Sequence, residues 1–344
     1  MKPEQSERIL VEELFKKTIA KKILSDDVIV NVEKLTGDAS TRKYYRIWTS
    51  KESYVVCLDN PSNVADEEPT FIKFQKILED EGVRVPYIYD KELSTGFILE
   101  EDLGDKTFLL EVSKVETLDK EYDFYKEAID LMAKIHLINV EKYQDKKISS
   151  LSFDTEKLFS EMAFSKKYFL GRFLGLSLDT EIVKTIDEEL LKICKEIDKE
   201  KRVLVHRDYH SRNIMIINQK QVVIDFQDAR MGTPLYDLVS LLEDCYYQIN
   251  ARNKEQLIKY YYNNYFKKLD ASKSYESFLR LYDLMTIQRV YKAIGSFAFI
   301  YEERKDLRYI KYIGYAFEKI RSVMLSNPEL DRLRVQLSGL YYAN

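Results

Sequence analysis

Five residues in one short stretch have the types and spacing to do chemistry. From Val203 to Phe226 the chain reads VLVHRDYHSRNIMIINQKQVVIDF, and His206, Arg207, Asp208, Asn213 and Asp225 stand at the margins of runs that are otherwise apolar. Charged groups beside a core are costly unless something pairs with them, and a metal ion or a substrate is a common partner. Asp208, Asn213 and Asp225 all offer oxygen atoms, the ligand type that a hard cation such as magnesium takes. Taken singly each has a structural explanation: Asp208 caps a turn, Asp225 pairs with a buried arginine, and His206 is a satisfied core histidine. A structural explanation gives no reason for all of them at this spacing.

The elements that must hold these residues follow from the periodicity around them. VLVH reads as a brief strand, and IMII and QVVIDF read as a hairpin about the polar turn NQKQ. In the first hundred residues YYRIWTS, SYVVCLD and GFILEED are short, β-branched or aromatic, and bounded by turn residues, so a sheet is expected there. Between the last two, Phe71, Phe74, Ile77 and Leu78 fall at helical spacing ahead of Gly82. Beyond Leu103, residues such as Leu118, Tyr122, Tyr125, Ile129, Met132 and His136 recur every three or four positions, which predicts a mainly helical remainder with His136 on a core face.

Composition narrows the function classes. A chain of 344 residues with 45% hydrophobic and 33% charged residues is long enough for two domains and is not expected to be disordered. A net charge of −4 gives no electrostatic case for nucleic acid or a membrane surface as partner. Cys57, Cys194 and Cys245 are far apart and form no CxxC pair, which argues against a disulfide framework and a zinc site and fits a reducing cytoplasm. No stretch reads as a signal peptide or a membrane span. Nothing in the sequence specifies an oligomeric state.

The run HRDYHSRN matches the kinase catalytic loop H-R-D-x-x-x-x-N, and Asp225 follows at a strand end where a kinase places its metal-binding aspartate. Unlike a protein kinase, the chain passes from DFQDARMGTPLYDLVSLL directly into a helix and leaves no room for a peptide-binding segment. These stretches resemble the aminoglycoside phosphotransferase and choline kinase superfamily. GDASTRKYYRI, DNPSN, GFILEEDLGDKTF, SEMAFSKKYFLGRFLG and IQRVYKAIGSFAFI narrow the resemblance to bacterial anomeric sugar kinases acting on N-acetylmuramate and N-acetylglucosamine.

The resemblance implies an α+β, bilobal protein kinase-like fold. A small β-rich N-lobe over residues 1–102 would cover the nucleotide, and a larger, mainly helical C-lobe over 103–344 would carry the catalytic loop, metal site and acceptor site. It implies ATP and Mg2+ as cofactors and a small sugar as substrate, phosphorylated for cell-wall recycling. Asp208 would be the catalytic base, Asn213 and Asp225 the magnesium ligands, and Asp237 a buried aspartate supporting the loop. Gly37 and Ser40 would cover the phosphates, and Glu100, Glu101 and Asp102 would form the adenine hinge.

The superfamily's usual phosphate-binding lysine is absent from SYVVCLD, where Cys57 or Leu58 takes the inward position, as it also is in the sugar-kinase branch. Arg42 or Lys43 could supply the charge, or both could be solvated strand-edge cations. Two alternatives remain. An amino-alcohol or aminoglycoside kinase would want an acidic, aromatic cage, for which Asp244, Tyr246 and Tyr247 are candidates, whereas Arg289 and Lys292 suit a carboxylate or neutral sugar. A non-catalytic nucleotide-binding protein would explain the missing lysine but not the presence of Asp208, Asn213 and Asp225.

Overall fold

Alternating apolar residues build the N-terminal sheet around one packed helix. The computed structural model describes residues 3–35, 42–59, 68–143, 148 and 151–344. Strands β1 (Ile29–Leu35), β2 (Lys43–Thr49), β3 (Ser53–Leu58), β4 (Ile88–Glu92) and β5 (Phe97–Glu101) form an antiparallel sheet in the order β1-β2-β3-β5-β4. The register pairs Tyr45 with Val56 and Val56 with Leu99, so one face is Tyr45, Ile47, Tyr54, Val56, Leu58, Phe97 and Leu99. Helix α1 (Pro3–Ala20) buries Val11, Leu14 and Phe15 against that face. The other face carries Tyr44, Arg46, Cys57 and Glu100, because successive strand side chains alternate. Leu58 therefore points to the α1 core, and Cys57 is the residue at the inward polar position. Helix α2 (Thr70–Asp80) brings Phe71 to the side of Arg42, whose guanidinium lies 5.4 Å from the ring centre.

Packing divides the chain into two compact units, residues 1–106 with 215–227, and residues 107–214 with 228–344. The first thus takes in all but Ile214 of the hairpin of β7 (Ile214–Ile217) and β8 (Lys220–Val223), which a boundary at residue 102 would leave with the C-terminal part. Its turn is tighter than the expected four residues: only Asn218 and Gln219 lie outside the strands, both at positive φ, the geometry favoured by two-residue hairpins.

The second unit is mainly helical. Its longest helix, α9 (Tyr275–Arg304), buries residues on all sides and runs past α5 (Thr155–Ser165), α6 (Glu181–Asp198), α7 (Leu235–Leu242) and α10 (Ile310–Ser326). Gly295 makes the α5 crossing close, since a Cβ there would meet Ser165 Oγ at 2.3 Å. Helices α3 (Phe108–Val112), α4 (Leu118–His136), α8 (Ala251–Tyr261) and α11 (Asp331–Ala343) also belong to it, with a two-stranded antiparallel sheet of β6 (Val203–Val205) and β9 (Arg230–Gly232). No helix among the described residues is long and apolar enough to cross a membrane.

Candidate active site

The loop from His206 to Asn213 is fixed by buried carboxylates. Asp237, on α7 and fully buried, accepts from the backbone N–H of His206 at 2.6 Å and of Arg207 at 2.9 Å. These two bonds hold Arg207 at φ +84°, a conformation that side chains other than glycine rarely adopt. His136 Nε2 lies 3.1 Å from the same carboxylate, and its Nδ1 lies 2.8 Å from the Tyr261 hydroxyl. The core histidine expected from helical spacing is buried, and it also braces the loop's anchor. At the far end Asp244 accepts from Ser211 N at 3.0 Å and from the Ser211 hydroxyl. Tyr209 adds a third tether, its hydroxyl donating to Ala128 O at 2.8 Å.

Asp208 projects from this held loop with a quarter of its side chain exposed. Lys292 Nζ at 2.9 Å and Arg289 Nη2 at 3.1 Å both reach its Oδ1 from α9. Burial would raise its pKa, but Lys292, Arg289, Arg207 and His210 outweigh that and hold the carboxyl well below the usual range. Burial and Arg289 together push Lys292 down against the pull of Asp208. Asn213 donates its side-chain N–H to Asp208 O at 3.0 Å, which turns the amide oxygen the other way. Asp225 belongs to the other unit. It is exposed, stands at φ +64°, and accepts from Gln227 Nε2 at 2.7 Å.

In the N-terminal unit Arg42 and Lys43 diverge. The Arg42 side chain is largely buried, with Nε 2.9 Å from Asp59 Oδ2; Lys43 is half exposed and pairs with Glu7. Gly96 makes the Asp59 position possible, because a Cβ on Gly96, at φ +72°, would stand 2.1 Å from Asp59 O. Gly37 and Ser40 lie outside the described residues. In the expected hinge, Arg84 pairs with Glu101, and Arg46 Nη2 donates to Asp102 Oδ1 at 3.0 Å. Glu100 instead turns onto the polar face of the sheet.

Several contacts redirect the alternatives. Asp244 is 5% exposed and committed to Ser211 and to Tyr246 N, while the Tyr247 hydroxyl donates to Glu121, so Asp244, Tyr246 and Tyr247 do not make an open acidic cage. Arg289 and Lys292 attend Asp208 rather than standing apart as acceptor contacts. Sequence reasoning missed Glu161. Its Oε2 accepts from Gln288 at 3.0 Å and Tyr236 at 3.1 Å, and it acts electrostatically on Arg207, Arg289 and Lys292. Its only sequence signal was an acidic residue in the otherwise half-apolar stretch SEMAFS.

Comparison with known proteins adds three findings. Residues 31–271 match the phosphotransferase enzyme family (APH). A Pseudomonas aeruginosa protein named N-acetylmuramate/N-acetylglucosamine kinase is 31% identical over 313 residues, covering 89% of this chain and 87% of its own. The fold is shared with the choline kinase LicA from Streptococcus pneumoniae, at TM-score 0.58 and 14% identity over 92% of this chain and 99% of that one. It is likewise shared with ADP-bound aminoglycoside phosphotransferase APH(2'')-Ib, at TM-score 0.58 and 19% identity over 88% and 96%.

Proposed function

The chain belongs to the phosphotransferase enzyme family, and from that premise we propose that it is the kinase of an N-acetylated amino sugar of the N-acetylmuramate or N-acetylglucosamine type. ATP is the donor, the anomeric hydroxyl is the acceptor, and the product is a sugar 1-phosphate suited to cell-wall recycling. The observation that supports the chemistry is the anchored loop that presents Asp208. Phosphoryl transfer needs little covalent help from protein, so a carboxylate held in place is worth more than a strongly basic one. Asp208, kept ionised by Lys292 and Arg289, orients the acceptor hydroxyl and receives its proton as the bond to the γ-phosphorus forms and the bond from that phosphorus to the bridging oxygen breaks, releasing ADP.

Asn213 and Asp225 would hold magnesium. Both supply the oxygen donors this ion takes, and the orientation of the Asn213 amide, with its nitrogen on Asp208 O, fits that use. Magnesium when bound neutralises phosphate charge. The segment from Glu100 to Asp102 would take the adenine, its place fixed by the ion pairs of Glu101 and Asp102 with Arg84 and Arg46.

The surroundings of Asp208 also bear on the acceptor. Three cations, Arg207, Arg289 and Lys292, face one carboxylate, which disfavours a polycationic aminoglycoside or choline and suits a neutral or anionic sugar. The test is a panel of N-acetylmuramate, N-acetylglucosamine, choline and aminoglycosides with ATP and magnesium, read by phosphorus NMR. An amino-sugar 1-phosphate is expected. Faster turnover of choline or an aminoglycoside would overturn the acceptor assignment, and no transfer to any acceptor would overturn the kinase reading.

A further inference from the structure

One carboxyl in the N-terminal unit is buried on the polar face of the sheet with an oxygen that no described residue bonds. Glu100 is 5% exposed, and its Oε1 has no hydrogen bond among the described residues. Its neighbours in the chain behave otherwise: Leu99 enters the α1 core, while Glu101 and Asp102 are spent on Arg84 and Arg46. The register puts Glu100 opposite Val55, on the face that carries Tyr44 and Cys57. Both feel its charge, and Arg42, on the same side, is the cation that acts on it. Burial pushes the carboxyl up to about 8, with Arg42 only partly opposing.

A buried carboxyl left unmatched is destabilising, so its retention calls for a ligand group that completes it. The same unit holds a small apolar cluster whose partly buried members could meet a flat ring. Leu103, just past β5, packs with Met215 and Val222, and Ile217 and Ile224 join them. Ligand sites commonly pair such an apolar surface with one or two polar groups that fix orientation.

We propose that Glu100 reads the base of the nucleotide, selecting a purine with a 6-amino group over one with a 6-oxo group. This inference rests on the kinase reading and deepens it, giving the hinge a side-chain contact in addition to its backbone. The donor and acceptor count decides the direction. As a neutral acid, Glu100 can accept from the 6-amino group and donate to N7, two bonds; against a 6-oxo purine, whose O6 and N7 both accept, it makes one. As a carboxylate it makes one bond to the amino purine and none to the oxo purine. A buried polar group left unpaired by the wrong ligand gives strong discrimination. One lost buried bond corresponds to a preference on the order of 10- to 100-fold.

The test is equilibrium binding of unhydrolysable analogues of ATP, GTP and ITP with magnesium and without sugar, so that turnover plays no part. The wild-type chain should prefer ATP to ITP and GTP by at least about tenfold. Glu100→Gln keeps size and offers donors to O6, so the preference should narrow mainly through tighter ITP and GTP binding. Glu100→Leu should narrow it through weaker ATP binding. Equal wild-type affinities, or a ratio unmoved in both variants, would overturn the inference while leaving the kinase reading intact. Binding of none of the three to the wild-type chain would overturn both.

Discussion

Asp237→Asn is the substitution in which the geometry makes its largest commitment. The carboxylate makes three polar contacts, with Oδ2 shared by His206 N at 2.6 Å and His136 Nε2 at 3.1 Å, and Oδ1 taken by Arg207 N at 2.9 Å. Asparagine has one oxygen. Placed at the Oδ2 position it keeps two partners, but its NH2 then faces the Arg207 N–H, donor against donor. The loss is one charge-assisted bond plus one unmatched buried donor, together about 2–5 kcal/mol. The bond lost is one of the two that hold Arg207 at φ +84°, a conformation that itself costs about 1–3 kcal/mol, so the loop has a local route to relax. Asp208, the next residue, would move with it, and a displacement near 1 Å costs about 100-fold in rate. Urea unfolding should show the stability loss, and kinetics at a temperature where the variant is folded should show the lower kcat. A variant within about 0.5 kcal/mol of wild type and turning over at a comparable rate would refute the claim that Asp237 holds the loop.

The other substitutions separate chemistry from support. Asp208→Asn should lower kcat by about 100- to 10,000-fold with ATP affinity nearly unchanged. It should also lose about 1–3 kcal/mol in urea unfolding, because Arg289 and Lys292 are left facing each other; a gain in stability would contradict that arrangement. Asp225→Ala should abolish magnesium-dependent nucleotide binding, and calorimetry showing unchanged magnesium–ATP affinity would reassign it as structural. Arg42→Ala should raise the KM for ATP, whereas Lys43→Ala, at a half-exposed pair with Glu7, should behave as wild type. Equal small effects from both would place any phosphate-facing cation elsewhere.

How much of this was legible in the chain depended on whether the signal was local. Strands β2, β3 and β5 and helix α2 follow from alternation and helical spacing, because one buried face writes itself directly into the period. Strand β9 has no such signature. Its three residues, Arg230–Gly232, become a strand only by pairing with β6, a tertiary fact. The inward residue of β3 was undecidable between Cys57 and Leu58 from the strand alone, since a shift of one residue exchanges faces; the register against Tyr44 and Ile98 decides it. At the site, the spacing of Asp208, Asn213 and Asp225 stood out because loop chemistry constrains nearby positions. Glu161, Arg289 and Lys292 converge from helices α5 and α9, more than a hundred residues apart, and no short-range pattern records such a meeting.

Asp237 and Asp244 show how the segment after the hairpin supports the loop. Asp237 lies in the first turn of α7, and Asp244 stands two residues beyond its last residue, Leu242. One anchors the start of the catalytic loop through His206 and Arg207, and the other anchors its end through Ser211. The first attachment comes from α7, whose residues are all buried, and the second from the buried Asp244 just after it, so a shift of either end of the loop would break a bond to this buried segment. A loop held in this way needs no separate segment to order it. Asp237 and Asp244 are thus the supports of the two ends of the catalytic loop, and both come from the segment that follows Leu235.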